Sequence, residues 1–457
     1  MEVMPILRQR GSEPNHNPSY QEPVPHNERL SISNIGTWTE VFNKSNSELE
    51  NVLGNHRGHE KIQLAATEKA ASKMFSIGEG TTEAAEEISR ARNAERGAAE
   101  KYAAGKKKEF EQFKASVITI MVRATRPLIL GSFAQTEHTE LKIVSDTHFQ
   151  ARPKSRNPLL THNTWEAFQC DQVFDVTASN LDVFRRLEPI ADEFKDPQGH
   201  TFVFYGDGFS GSGKSFTSYT HESSVLLAFG KLLLESPHPR LRVVFEAFQT
   251  PGVEVESLDI PPQTIANLGL TKAETPPVDI TSASRNLFRQ KRPCYVVQDF
   301  TGFKWLVKRT AEFRRELPTA NNATSSRTNL AVVLYVTLNE KTSVFCLIDM
   351  VGNERAGALK ERDKSSLDST EIVNSSRLTL RPILQAVVGG KEWVATSTAI
   401  GMWIKLLMSR PSAMLVMLFH VSTASSFDGA VRPTLVDMWN YKHIRTKHPN
   451  RTTAKST

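Results

Sequence analysis

The segment GDGFSGSGKSFT, residues 206–217, constrains the fold more than any other stretch of this chain. It contains the pattern G-x-x-x-x-G-K-[ST] from Gly208 to Ser215, between the apolar run TFVFY and the helix-like run SSVLLAFGKLLLE. A strand that enters such a loop and a helix that leaves it direct backbone N–H groups and the helix N-terminus at phosphate groups. Glycines let the backbone approach the phosphates without a Cβ in the way. The segment therefore predicts a phosphate-binding loop, with a plain Gly/Ser turn as the alternative.

The rest of the sequence predicts an α/β fold around this loop. Short β-branched runs such as SVITIMV, LRVVFEAF, NLAVVLYVTL, TSVFCLIDMVG and AMLVMLFHV alternate with amphipathic segments such as LDVFRRLEPIADEF. Strands that alternate with helices predict a sheet with helices on both faces. No apolar run approaches the roughly 20 residues of a membrane span, and we expect none. The three cysteines form no metal-ligand or redox spacing, and together with the lack of a signal peptide they favour an intracellular protein.

Composition divides the chain into four predicted regions. Residues 1–58 are polar and rich in Pro, Asn, Ser and Glu, which predicts disorder. Residues 59–115 are rich in Ala, Glu, Lys and Arg, which predicts a long exposed helix. Its apolar stripe is mostly alanine, so a partner-dependent coiled coil and a lone solvated helix both stay open. Residues 116–445 hold the α/β domain, and residues 446–457 form a basic tail that we expect to be disordered. The net charge of +6 is compatible with an acidic partner.

Two further motifs bear on what the phosphate loop does. The first is NNATSSRTN, residues 321–329, and the second is LIDMVGNER, residues 347–355. In the second, Asp349 follows a buried-strand pattern and Gly352 comes three residues later. An aspartate at the end of a central strand can hold Mg²⁺ through water. A glycine at that spacing can present its N–H to a γ-phosphate and move when that group leaves.

These motifs resemble those of the kinesin motor family. NATSSR is similar to the switch I pattern N-x-x-S-S-R, and DMVGNER is similar to the switch II pattern D-x-x-G-x-E. FQCDQVFD (residues 168–175) resembles the strand before the first kinesin helix, and VNSSRLTLRPILQAV resembles the helix that follows switch II. The matches keep the kinesin order over roughly residues 116–445. A helical segment on the N-terminal side resembles the arrangement of C-terminal-motor kinesins.

The resemblance implies a kinesin-like P-loop NTPase fold, with a mixed central sheet, helices on both faces and a preceding N-terminal helix. It also implies ATPase activity with ATP and Mg²⁺ as cofactors. Lys214 would reach the β- and γ-phosphates, Gly352 would sense the γ-phosphate, and Arg327 would pair with Glu354 to close the pocket. The implied catalytic residues are Ser325, Ser326, Arg327, Gly352 and Glu354. The implied Mg²⁺ residues are Ser215, Ser326 and Asp349. The implied nucleotide contacts are Arg126, Pro127, Gly208, Phe209, Ser210, Gly211, Ser212, Gly213, Lys214, Ser215 and Phe216, with Arg126 and Pro127 beside the base and Phe216 stacked on adenine.

The sequence also departs from the family pattern. Two extra residues precede Gly208, and the base-side motif R-A-T-R-P is one residue longer than expected, so Arg123 is not counted among the nucleotide contacts. TAIGMWIKLL, residues 398–407, stands where kinesins carry a basic segment that meets the acidic microtubule surface. In it Lys405 keeps a positive charge, while Met402, Trp403 and Ile404 form an apolar surface or part of the core. Lost basic contacts lower affinity for a polyanionic partner.

The leading hypothesis is an ATP-hydrolysing microtubule motor or microtubule-associated ATPase of the cytoplasm and cytoskeleton. Its partners would be tubulin and a helical partner bound through residues 60–114, and we expect no nucleic acid. The alternative is a non-motile kinesin-like switch or interaction protein that has lost microtubule binding. A third hypothesis is an unrelated P-loop enzyme, such as a small-molecule kinase or a GTPase. The sequence lacks the N-K-x-D motif that a GTPase would use to select its base.

Overall fold

Strands and helices follow one another along the chain as the apolar runs predict. The computed structural model describes residues 81–125, 141–151, 165–209, 211–235, 238–250, 254–273, 292–314, 316–319, 322–326, 328–352, 380–388, 398–410, 412–422 and 428–447. The strands are β1 (Ile118–Thr125), β2 (Leu141–Ile143), β3 (His148–Ala151), β4 (Glu166–Gln169), β5 (Gln172–Phe174), β6 (Thr201–Gly208), β7 (Arg242–Thr250), β8 (Glu256–Ser257), β9 (Thr271–Ala273), β10 (Cys294–Val297), β11 (Glu316–Thr319), β12 (Asn322–Ser326), β13 (Asn329–Leu338), β14 (Lys341–Asp349) and β15 (Ala413–Ser422). The helices are α1 (Thr81–Ser116), α2 (Asn180–Glu193), α3 (Val225–Leu234), α4 (Pro262–Asn267), α5 (Phe300–Phe313), α6 (Ala399–Met408) and α7 (Asp428–Lys447), with a π-helical turn over Phe216–Thr220.

A mixed sheet forms the centre of the described part of the chain. Its strand order is β5-β1-β15-β6-β14-β13-β7-β10-β9, and β8 pairs with β7. The pairs from β5 to β14 are parallel, whereas the pairs from β14 to β9 are antiparallel. Two smaller sheets, β11-β12 and β2-β3-β4, accompany it. The predicted α/β fold with a mixed central sheet is confirmed.

Helices cover both faces of this sheet, which explains why its central strands are apolar throughout. Side chains alternate between the two faces of a strand. On β6, Phe202 lies against Phe345, which in turn stacks on Phe229 of α3 at 4.2 Å between ring centroids. The neighbouring Val203 belongs to the core cluster that contains Trp403 of α6. A strand buried on both faces has no polar side to show, which accounts for the run TFVFY.

A two-residue turn joins β13 to β14. Asn339 and Glu340 both have positive φ values, 48° and 68°. This is the backbone conformation that matches the twist of a tight hairpin. From Leu338 opposite Lys341 the pairing continues without a shift to Leu330 opposite Asp349. The hairpin therefore joins the residues that follow the predicted switch I to those that begin switch II.

Helix α1 is fixed to the domain over its last turns. Lys106 forms ion pairs with Glu188 (2.9 Å) and Asp192 (2.6 Å) of α2, and Phe110 and Phe113 are buried. From residue 89 to residue 105, every described residue except glycine 97 is exposed. Residues 59–80 of the predicted neck, the predicted N-terminal segment 1–58 and residues 448–457 of the tail lie outside the described residues. The coiled coil stays a prediction.

Helix α6 is almost entirely buried, which decides between the two alternatives for its apolar residues. Trp403 and Ile404 lie in the core, while Met402 and Lys405 are partly exposed. The Trp403 ring meets the Phe248 ring edge-on at 5.0 Å, and its N–H donates to the sulfur of a buried cysteine on β14. The apolar residues of this helix are therefore core residues rather than an apolar surface.

Candidate nucleotide site

The phosphate loop lies at the carboxyl end of β6, between that strand and the π-helical turn. Gly208, Gly211 and Gly213 have φ values of 142°, 77° and 93°, in the region that favours glycine. A Cβ added to Gly208 would lie 2.6 Å from the carbonyl oxygen of His420 and 2.7 Å from Ser212 Oγ. Glycine at this position is therefore required by close packing as well as by the backbone conformation.

Two polar groups of the loop are turned inward. Lys214 is buried, and its Nζ donates to the Phe209 carbonyl at 2.8 Å. The buried Ser212 Oγ has no hydrogen-bond partner among the described residues. An ammonium group that donates to a neutral carbonyl can exchange that acceptor for phosphate oxygens, which are stronger acceptors for a cation. The loop thus has the donors that a polyphosphate needs.

Ser215, the residue after Lys214, forms a hydrogen bond with Asp349. Asp349 ends β14, which runs parallel to β6 and places Asp349 opposite Gly206. The Ser215 hydroxyl donates to Asp349 Oδ2 at 2.5 Å. Asp349 is fully buried, and its Oδ1 has no partner among the described residues. A buried oxygen of a carboxylate without a donor fits a site that awaits a metal-bound water.

Arg314 completes this group, and the sequence analysis missed it. The NH1 nitrogen of Arg314 lies within hydrogen-bond distance of Asp349 Oδ2, Ser215 Oγ (3.1 Å) and the Tyr219 hydroxyl (3.0 Å). The NH2 nitrogen donates to the Thr328 carbonyl at 2.9 Å. Burial acts to lower the pKa of Arg314, but the charge of Asp349 outweighs it and the pKa is raised. An arginine after the last turn of a helix is ordinary in any sequence, so no local signal separated Arg314 from its neighbours.

The predicted switch residues are described in part. Ser325 and Ser326 lie on β12, opposite Leu317 and Glu316 of β11. Gly352 is buried and follows Val351, whose N–H donates to Asn329 Oδ1 at 3.2 Å. The roles assigned to these three residues stay predictions. Five of the predicted contact or catalytic residues lie outside the described residues: Arg126, Pro127, Ser210, Arg327 and Glu354.

Phe216 begins the π-helical turn directly after the loop. Its ring is partly buried and lies 4.3 Å from the His221 ring, centroid to centroid. Burial lowers the pKa of His221, so this imidazole is neutral at physiological pH. Stacking of Phe216 on adenine stays a prediction.

The residues fit Mg²⁺ bound together with a nucleotide. The described residues hold no cluster of three or more His, Cys, Asp or Glu side chains that could hold a metal by themselves. Mg²⁺ commonly uses one or two carboxylates and relies on substrate phosphates for its other ligands. Ser215 and Asp349 supply a hydroxyl and a carboxylate of this kind, next to the lysine of the loop. The chemistry available is therefore positioning and charge stabilisation of a polyphosphate.

Solved structures share this fold. The C-terminal motor domain of Kar3 from Candida glabrata matches with a TM-score of 0.51 and 14% identity, over 71% of this chain and 97% of that chain. A microtubule-bound KIF14 dimer with AMP-PNP matches with a TM-score of 0.54 and 18% identity, over 72% of this chain and 93% of that chain. At these identities the likeness establishes the fold alone.

Sequence comparison identifies the family. Kinesin-like protein 2 of Schizosaccharomyces pombe is 25% identical over 243 residues, which cover 50% of this chain and 28% of that protein. The match thus spans less than a third of that relative's length. The family description of the kinesin motor domain matches residues 125–397, more than half of the chain. This chain belongs to the kinesin motor-domain family.

Proposed function

We propose that this chain binds and hydrolyses Mg-ATP and couples that reaction to microtubules. The observation that carries the proposal is the hydrogen bond of 2.5 Å between Ser215 Oγ and Asp349 Oδ2. Ser215 ends the loop that follows β6, and Asp349 ends the adjacent parallel strand β14. Ligand sites of open α/β sheets lie at this end of the strands. Family membership and the microtubule-bound relative support tubulin as the partner.

Each residue has a role in the proposed reaction. When bound, Mg²⁺ neutralises charge that builds up on the phosphates. Lys214 binds the phosphates and Ser215 faces the metal. Asp349 would hold Mg²⁺ through water, and Gly352 would contact the γ-phosphate through its N–H. Ser325, Ser326 and the Arg327–Glu354 pair close the pocket over the attacking water, because exclusion of bulk solvent strengthens every polar contact to the transition state.

Two substitutions test the chemistry. Lys214→Ala removes the cation of the loop and should abolish nucleotide binding. Glu354→Ala should leave binding intact and block hydrolysis. The measurements are equilibrium binding of MgADP and steady-state phosphate release by the full chain. Equal turnover in wild type and Glu354→Ala would refute the proposed switch mechanism.

A second candidate function is a non-motile ATP switch. Helix α6, where kinesins meet the filament, is buried except for the partly exposed Met402 and Lys405. Such a surface offers little positive charge to an acidic filament. In this case the partner would be another protein, bound for example through residues 60–114.

ATP turnover with and without polymerised microtubules separates the two candidates. We expect many-fold stimulation together with cosedimentation that depends on the bound nucleotide, and a cytoskeletal location in cells. Turnover that is unchanged by microtubules, with no cosedimentation, would instead establish the switch. Among the described residues, no helix has the length and apolar character to cross a membrane.

A further inference from the structure

Two side chains of β1 contact the phosphate loop from inside the domain. Thr125 Oγ1 donates to the Ser212 carbonyl at 2.7 Å. Two residues earlier, on the same face of the strand, Arg123 NH1 donates to Thr217 Oγ1 at 2.6 Å. Thr217 Oγ1 lies 3.0 Å from the Gly213 carbonyl. Strand β1 therefore contacts the chain on both sides of Gly213 and Lys214, at Ser212 and at Thr217.

The Arg123 guanidinium makes further contacts that fix its position. NH1 also donates to Asn180 Oδ1 (2.5 Å), and NH2 donates to the Ala178 carbonyl at 2.8 Å. The amide nitrogen of Asn180 donates to the Phe216 carbonyl at 3.1 Å. Arg123 is thus joined to the π-helical turn twice, through the Thr217 hydroxyl and through the Asn180 amide.

The charge of Arg123 is buried among neutral acceptors. The residue is 7% exposed, its hydrogen-bond acceptors are neutral, and the negative charge that acts on it is that of Asp182, which forms no ion pair with it among the described residues. Burial lowers the pKa of Arg123 to about 10, which leaves the guanidinium charged at neutral pH. Burial outweighs the attraction of Asp182, so this desolvated cation is unfavourable in the nucleotide-free protein, and an anion bound nearby offsets that cost.

The imidazole of His420 on β15 contacts Thr217, the residue to which Arg123 also donates. His420 Nδ1 faces the Asp207 carbonyl at 3.2 Å and therefore carries the ring proton. Its Nε2 lies 2.9 Å from Thr217 Oγ1 and serves as an acceptor. Burial, followed by the charges of Arg123 and Lys214, holds the pKa of His420 well below its usual value. The imidazole orients Thr217 and adds no charge of its own.

We propose that Arg123 is a positioning residue of the nucleotide site, which holds the turn after the phosphate loop and supplies a buried positive charge to the phosphates. Arg123 acts through Thr217 and Asn180 on the part of the site that binds the phosphates, and it does not contact the base. The inference rests on the proposed function, because it assumes that the loop binds a nucleotide. It predicts a loss of affinity that is independent of the base.

Binding of MgADP and MgGDP to the full chain, measured by titration calorimetry, tests this directly. Arg123→Met should weaken both nucleotides by the same factor, about tenfold or more, because a buried hydrogen-bonded charge near the phosphates is removed. Arg123→Lys keeps the charge but not the planar fork, and should lie between wild type and Arg123→Met. Arg96→Met is the matched control, since Arg96 is exposed on α1 and pairs with Glu100 at the surface. It should bind as wild type does.

Thr217→Val provides a second variant that keeps the side-chain shape. It should also weaken both nucleotides equally, and the double variant with Arg123→Met should lose less than the two single losses combined, since both act through one contact. A loss confined to MgADP would overturn the proposal in favour of base contact. Unchanged affinity in Arg123→Met and Thr217→Val would overturn it as well. Failure of the wild-type chain to bind either nucleotide would instead overturn the proposed function, and this inference with it.

Discussion

Replacing Arg314 with methionine should destabilise the nucleotide-free protein severely, and binding of MgADP should relieve part of that loss. Asp349 is fully buried, and Arg314 is the cation that neutralises it. Breaking a buried ion pair by removing one partner costs about 3–5 kcal/mol, because the remaining charge is uncompensated. A methionine fills most of the space of the arginine stem, so the lost charge dominates over the cavity. For a domain of this size the melting temperature should fall by roughly 4–7 °C.

Thermal unfolding in EDTA and in excess MgADP measures the effect. We expect the loss of stability of Arg314→Met in EDTA to be smaller in MgADP. We also expect Asp349→Asn in the same chain to reverse the loss, since the double variant buries no charge. The coupling between the two substitutions should exceed 2 kcal/mol in a double-mutant cycle. A melting temperature in EDTA within 2 °C of wild type, or additive effects of the two substitutions, would refute this account.

Three further predictions concern packing and protonation. A Cβ at Gly230 would lie 2.0 Å from the Phe303 ring, so Gly230→Ala should lower the free energy of unfolding by about 1–3 kcal/mol in denaturant titrations. Gly97→Ala on α1 is the control: its Cβ would meet nothing within 4 Å, so it should be neutral or stabilising by up to about 1 kcal/mol. Trp403→Ala should cost about 3–5 kcal/mol in the same titrations, and a cost below 1 kcal/mol would place that ring outside the core. The pKa of His420 is depressed in the folded chain, so below pH 6.5 the unfolded chain binds a proton on this imidazole that the folded chain does not. The stability that neutral His420 provides is therefore complete above pH 6.5 and is lost as the pH falls below it. His420→Gln should flatten that part of the pH–stability curve, and an unaltered slope would contradict the assignment.

Local patterns were sufficient for the fold and for part of the site. The apolar runs predicted the strands because buried central strands must be apolar on both faces. The glycine spacing predicted the loop because the backbone itself imposes that spacing, and the positive φ values of Gly211 and Gly213 agree with it. Asp349 was assigned to the site from its position at the end of a buried strand; the structure places it in contact with Ser215, and its role toward Mg²⁺ stays a prediction.

Other site residues depend on contacts between segments far apart in the sequence. Arg314 reaches Asp349 from the end of a helix, and Arg123 reaches Thr217 from the first strand. A single sequence contains no signal that an arginine turns inward, since most arginines are exposed. The same holds for Trp403, which only the packing of α6 on the sheet assigns to the core.

The two-residue turn at Asn339 and Glu340 restricts how this sequence can evolve. It lies at the far end of β13 and β14 from the site, about 30 Å away at the usual rise per residue of a strand. One inserted residue there would shift the pairing, and a shift of one position reverses which face each side chain occupies. Asp349 would then turn away from Ser215. We therefore expect insertions and deletions to be excluded from this surface turn, although it is remote from the nucleotide, and the positive φ values restrict its two positions to residues that tolerate this conformation.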